Sequence, residues 1–140
     1  MDGLGEKFQG GCLCGAVRYE IRGAPQWAAH CHCRSCQRAL GAAFATWCSI
    51  DEDRFTLTKG RIKTCETSPG VARGFCADCG TSLTYAAEQE PEGEDWQGKT
   101  WFLAATLDDP AIVAPKTHVY VSHRQPWVQL DDGLPSFEKF

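Results

Sequence analysis

The residues with the greatest chemical potential are cysteines. The chain holds nine, an odd number, so complete internal disulfide pairing is impossible. Seven fall into tight groups: Cys12-Leu13-Cys14, Cys31-His32-Cys33-Arg34-Ser35-Cys36 and Cys76-Ala77-Asp78-Cys79. Cys48 and Cys65 stand alone. Neighbours this close make poor disulfides with one another, because so short a ring cannot satisfy the S–S dihedral. They make good chelates, because two thiolates in one turn can point at one ion.

The outer groups together supply four thiolates: Cys12, Cys14, Cys76 and Cys79. Four cysteines close a tetrahedral zinc shell and leave no open position, the pattern of a structural site. Gly11, Gly15 and Gly80 stand beside these groups and are expected to ease their turns. The middle group supplies only three thiolates, Cys31, Cys33 and Cys36. Three protein ligands leave a position for water or substrate, the pattern of a catalytic zinc. His118 or Cys48 could close this shell from a distance. His32 points away from its neighbours if the segment is extended. Three thiolates and one Zn²⁺ sum to −1, which weakens the ion as a Lewis acid and favours a soft ligand over hydroxide. The natural soft ligand is a thiol, whose pKa falls on coordination. The expected chemistry is therefore thiol binding or transfer.

These groups need a scaffold. Residues 16–22 alternate, with Val17, Tyr19 and Ile21 on one face and charges on the other, as in a half-buried strand ended by Gly23-Ala24-Pro25. Further strands are expected over 27–31, 43–49, 54–58, 61–65, 71–75, 81–85, 99–106 and 117–121. One or two helical turns fit 34–40, ending at Gly41. Residues 88–98 are acidic, lack periodicity and read as an exposed loop. Many short strands with Gly/Pro punctuation and little helix predict a mostly-β domain with several short-stranded antiparallel sheets. Cys48 and Cys65 are expected to be small buried hydrophobes. His118 is expected to be a hydrogen-bonded structural residue, His123 and Arg124 to lie on the surface, and Trp47, Trp101 and Trp127 to be core or pocket wall.

At 140 residues, one domain over 1–140, with its core at about 8–137, is the natural expectation. Net charge is −4 and the pI near 5.5, which disfavours a nucleic-acid or anionic-membrane binder. No apolar run is long enough to span a membrane. The first residues, Met1 to Lys7, lack a basic region followed by an apolar one, so a cytoplasmic, metal-binding chain is expected.

The sequence resembles the glutathione-dependent formaldehyde-activating family, also called the centromere-protein-V-like zinc domain family. The resemblance runs from Gly10-Gly11-Cys12-Leu13-Cys14-Gly15-Ala16-Val17-Arg18-Tyr19 through Cys31 to Cys36 with Gly41-Ala42. It continues through Arg73-Gly74-Phe75-Cys76-Ala77-Asp78-Cys79-Gly80-Thr81 to Trp127 and Asp132-Gly133-Leu134-Pro135. It implies a zinc-stabilised β-tent with two zinc ions. Cys12, Cys14, Cys76 and Cys79 would hold the structural zinc, and Cys31, Cys33 and Cys36 the catalytic one. The activity implied is addition of glutathione, or an analogous small thiol, to formaldehyde or a related small aldehyde, giving S-hydroxymethylglutathione in the named case; it is classed as a carbon–sulfur lyase reaction. Arg34, Arg38 and Arg73 are candidates for the carboxylates of such a thiol. Water or His32 could protonate the alkoxide, and no acid–base residue is assigned. The rival expectation is a non-catalytic zinc module that binds a protein partner.

Overall fold

Among the described residues the chain forms ten strands, most of them over short runs of alternating apolar and polar residues, and one α-helix. The structure is a computed structural model and describes residues 5–140. The expectation for the extreme N-terminus rests partly on residues 1–4, outside the described ones. Strands β1 (Lys7–Gly11), β2 (Arg18–Arg22) and β5 (Phe55–Lys59) form a three-stranded antiparallel sheet in the order β1-β2-β5. A seven-stranded sheet contains β3 (Trp27–Cys31), β4 (Ala45–Asp51), β6 (Ile62–Ser68), β7 (Val71–Cys76), β8 (Ser82–Ala87), β9 (Lys99–Leu103) and β10 (Thr117–Val119). Its order is β10-β3-β4-β9-β8-β7-β6. Every pairing in it is antiparallel except that of β10 with β3, which sets His118 opposite His30 in parallel register.

Period-two alternation makes β4 and β9 serve two cores. Cys48, Ile50 and Phe102 face the small sheet and pack with Val17, Tyr19 and Ile21. There Tyr19 stacks on Phe55 at 4.8 Å and meets Phe102 edge-on at 5.5 Å. Trp47, Trp101 and Leu103 face the other way and pack with Ala29, Cys31, Cys36 and Val119. The second core includes the middle cysteine group; the first includes Cys12 and Cys76.

The single helix, α1 (Arg34–Leu40), begins at Cys33, whose sulfur accepts the Cys36 backbone N–H at 3.3 Å as an N-cap. It ends at Gly41, which is left-handed at φ 63°. Three expectations are revised. Strand β1 is not foreseen, because Lys-Phe-Gln-Gly-Gly shows almost no pattern. Strand 99–106 ends at Leu103, with a single 3-10 turn over Ala104–Thr106. Cys65 is exposed, because β6 is an edge strand with neither face covered.

Candidate metal centres and the adjoining cavity

The four-thiol group sits where two turns meet. Cys12 and Cys14 flank the turn between β1 and β2; Cys76 ends β7, and Cys79 lies in the turn before β8. Gly15 (φ 82°) and Gly80 (φ 79°) adopt the left-handed backbone these turns require. Gly11 acts otherwise: it is extended within β1, and a Cβ there would collide with the Val17 carbonyl oxygen. All four sulfurs lie within 4.8 Å of one another, with Cys12–Cys14 at 3.6 Å and Cys14–Cys76 at 3.9 Å. Zinc bonded to sulfur at 2.3 Å in a tetrahedron needs S···S edges of about 3.8 Å, so this donor set fits the ion. The Thr81 hydroxyl, 3.1 Å from Cys79 Sγ, leads a set of donors that draws the Cys79 thiol down to about 5. Val17 N–H bonds Cys12 Sγ at 3.2 Å. Such N–H···S and O–H···S bonds favour thiolates.

The three-thiol group is local. Cys31 ends β3, Cys33 caps α1 and Cys36 lies in its first turn, with Cys31 and Cys36 sulfurs 3.7 Å apart. Three crowded thiols cannot all ionise unaided. Cys31 beside it and then Cys33 hold Cys36 far below the usual thiol range, and Trp47 Nε1 at 3.4 Å and Arg73 Nη2 at 4.0 Å also face its sulfur. Cys31 is pushed up, first by Cys33 and then by Cys36. A divalent cation would relieve that conflict, so this set fits zinc too.

Neither distant candidate completes the trio. Cys48 lies in the first core, where burial raises its thiol to about 12. His118 has both nitrogens engaged: Nδ1 with His32 Nε2 at 2.9 Å and Nε2 with Asp132 Oδ2 at 2.8 Å. His118 is thus hydrogen-bonded, as its strand position suggests. His32 is fully buried, lies away from the cavity lining and is not placed to protonate a substrate. Among the described residues this group is therefore Cys31, Cys33 and Cys36 without a fourth ligand atom beside them, and His118 belongs instead to a separate compact group with His30 and Asp132.

A cavity of about 440 Å³ opens beside this trio, and Cys31, Cys33 and Cys36 all line it. Its wall is aromatic: Trp27, Trp47, Tyr85, Trp96, Trp101 and Tyr120. The four-thiol group lines none of it. Trp47 and Trp101 are wall residues as expected, whereas Trp127 is 71% exposed and belongs to neither core nor cavity. Of the three candidate arginines, only Arg73 lines the cavity, with its guanidinium 5.0 Å over the Tyr85 ring. Arg34 instead donates to Gln37 Oε1 at 2.5 Å, and Arg38 points to solvent at the helix end.

Several contributors are missed by sequence reasoning. Trp96 comes from the acidic loop, which is more than a solvated connection: Gln89, Glu90 and Pro91 also line the cavity. Tyr120 is held at φ 55°, the one left-handed non-glycine among the described residues. Strain of that kind costs on the order of 1 kcal/mol or more and concentrates at functional sites. Gln37 is buried and clamps the trio's backbone, donating to the His32 carbonyl at 2.6 Å and the His123 carbonyl at 3.0 Å. No local pattern marks any of these; a buried polar residue one turn into a capped helix is the nearest signal.

The fold and its thiol groups define a small, mostly-β domain with two cysteine clusters suited to metal, one beside an aromatic cavity. Residues 7–123 match the model of the family described as glutathione-dependent formaldehyde-activating enzyme, and the chain belongs to that family. A crystal structure of a Rhodobacter sphaeroides protein from a structural genomics programme is similar in fold. It has a TM-score of 0.55 at 18% sequence identity, covering 92% of this chain and 98% of that one. No helix among the described residues is long and apolar enough to cross a membrane.

Proposed function

We propose that the protein is a zinc-dependent carbon–sulfur lyase that adds a small thiol, glutathione or an analogue, to formaldehyde or a related small aldehyde. The observation that carries this reading is the asymmetry of the two clusters: the three-thiol group is the one that lines a cavity. In this reading the whole chain acts as one domain with two zinc ions. Cys12, Cys14, Cys76 and Cys79 hold a structural ion, and Cys31, Cys33 and Cys36 hold the ion at the reaction site. Zinc at the second position would supply a cation that keeps an incoming thiol ionised at neutral pH.

The chain's own residues do the rest. The cavity brings sulfur and carbonyl carbon together against the aromatic wall, converting a two-body encounter into an oriented one. Arg73, beside Cys36, offers positive charge where the carbonyl oxygen becomes an alkoxide. The C–S bond forms as the carbonyl π pair moves to oxygen, which takes its proton from water. Nine unpaired thiols support a reducing compartment, the cytoplasm.

Formaldehyde consumption with glutathione at neutral pH tests the reading. Zinc-loaded protein is expected to accelerate it over buffer, and the Cys33→Ser variant is not. Equal rates with zinc-loaded protein and with buffer would remove glutathione with formaldehyde as the substrate pair.

A further inference from the structure

A third group of metal-type donors lies apart from both cysteine clusters. The parallel pairing of β10 with β3 sets His118 opposite His30. Asp132 reaches the same spot from the segment whose Pro135 carbonyl accepts the His118 N–H at 2.8 Å. One ligand atom from each of the three lies within 4.8 Å of the other two. No thiol belongs to this group, and none of its residues lines the aromatic cavity.

Two features separate it from an ordinary hydrogen-bonded cluster. The first is orientation. His118 Nδ1 is bonded to His32 Nε2 at 2.9 Å, and His30 Nδ1 to Thr46 Oγ1 at 2.8 Å. Each ring thus has its Nδ1 fixed by a neighbour, as metal-ligating histidines have, which leaves Nε2 to offer. Asp132 is fixed likewise: Oδ1 accepts the Leu134 N–H at 3.1 Å, and Oδ2 faces His118 Nε2 at 2.8 Å. The second is spacing. A zinc–nitrogen bond of about 2.1 Å sets the ion about 3.2 Å from a ring centroid, so two imidazoles bound at about 90–110° have centroids about 4.5–5.2 Å apart. The His30 and His118 centroids are 4.8 Å apart. A nitrogen and an oxygen bound at right angles lie about 2.9 Å apart, close to the 2.8 Å between His118 and Asp132.

Two imidazoles and one carboxylate suit zinc over magnesium or calcium, which take oxygen shells. Asp132 is exposed and His30 half-buried, so an ion can enter from solvent and water can complete its shell. We infer that His30, His118 and Asp132 form a third zinc site, which ties the segment around Asp132 to the seam between β3 and β10. Three ligands without a thiolate, partly open to solvent, hold zinc less tightly than either cysteine group. The site therefore fills at micromolar free zinc and empties on gel filtration, which leaves the cysteine-bound ions in place.

Equilibrium dialysis at micromolar free zinc counts the ions, and imidazole nitrogen NMR identifies the histidines that bind them. The parent is expected to hold one equivalent more than Asp132→Asn, whose amide still accepts the His118 N–H but is a poor zinc ligand. His30→Gln is expected to lose the same equivalent. Cys33→Ser should lose a different one, so the double variant Cys33→Ser/Asp132→Asn falls two below the parent. Zinc added to gel-filtered protein should raise the Tm of the parent by a few degrees and leave that of Asp132→Asn unchanged. It should also shift the Nε2 resonances of His30 and His118 and leave His123 in place. Equal zinc content in the parent, Asp132→Asn and His30→Gln overturns the inference and reduces the group to a hydrogen-bonded cluster. A zinc-induced shift at His123 alone overturns it as well. The counts at this site are independent of turnover, so the thiol–aldehyde reading stands or falls separately.

Discussion

The two cysteine clusters use the same atom for different ends. The four-thiol group joins turns that lie 62 positions apart in sequence between Cys14 and Cys76, and none of its cysteines lines the aromatic cavity. The three-thiol group spans six residues, is framed by a helix cap and a buried glutamine, and opens onto an aromatic chamber. Closing a long loop stabilises a fold, because it removes freedom from the unfolded chain. Holding three thiols within one strand end and one helical turn contributes little of that kind. It presents an incomplete shell to a cavity. In the proposed reading, ligand count and loop length together, more than ligand type, separate a staple from a reaction centre.

The largest effect that would break this contrast is at Cys76, which is buried in the first core as well as ligand-placed. Structural zinc contributes about 10–16 kcal/mol in small zinc peptides, against a total domain stability of about 5–15 kcal/mol. Cys76→Ser is therefore expected to be unfolded at 25 °C by circular dichroism. A folded Cys76→Ser with full metal content would remove the staple from the argument. Next is Cys33→Ser. A serine hydroxyl can still cap α1, so the fold should survive, with Tm within a few degrees of the parent. Zinc measured after gel filtration should drop from two equivalents to one, and turnover should vanish.

The same contrast explains what could be read in advance. The clusters were legible because chelating residues repeat at short spacing, and most strands because they alternate. Residues 34–40 announced a helix through the glycine at 41. The chamber was not legible. Trp96 sits in a loop without periodicity, Tyr120 depends on a left-handed backbone that no neighbouring glycine signals, and Tyr85 arrives from a strand beyond β9. Those positions are set by sheet order, and sheet order is not written in any local window. The parallel pairing of β10 with β3 was hidden for the same reason, although it creates the His30–His118 contact at 4.8 Å.

That pairing supplies a third test, of intermediate size. Asp132, His118 and His32 form a hydrogen-bonded chain that ends within the backbone of the three-thiol group. His118→Ala leaves His32 Nε2 buried without a partner and opens a void, a cost of about 2–4 kcal/mol. Urea denaturation measures the loss. If the chain positions the trio, a chelator should strip one zinc equivalent faster from His118→Ala than from the parent and leave the second unaffected. Simultaneous faster loss of both would mean that His118 serves the fold as a whole.

The smallest expected effect lies on the staple's side of the molecule. Arg18 of β2 binds Asp108 through two N–H donors, at 3.0 and 2.5 Å, and joins the small sheet to the segment after β9. The side chains are 33% and 55% exposed, so solvent screens the pair, and Asp108→Asn should cost no more than about 1 kcal/mol. The hydrogen bond from Arg18 holds the Asp108 carboxyl below its ordinary range. The unfolded chain, with its aspartate near a pKa of about 3.9, therefore takes up a proton before the folded one does. The difference in stability between parent and variant should stay constant from pH 8 to pH 5. It should shrink only as pH falls below about 4 and through the lowered folded value. Added salt at pH 7 should shrink it as well, because the pair is exposed. A variant that lost several kcal/mol at neutral pH would show that this seam is held by its ion pair, and would shift weight from the thiol staple to the charges around it.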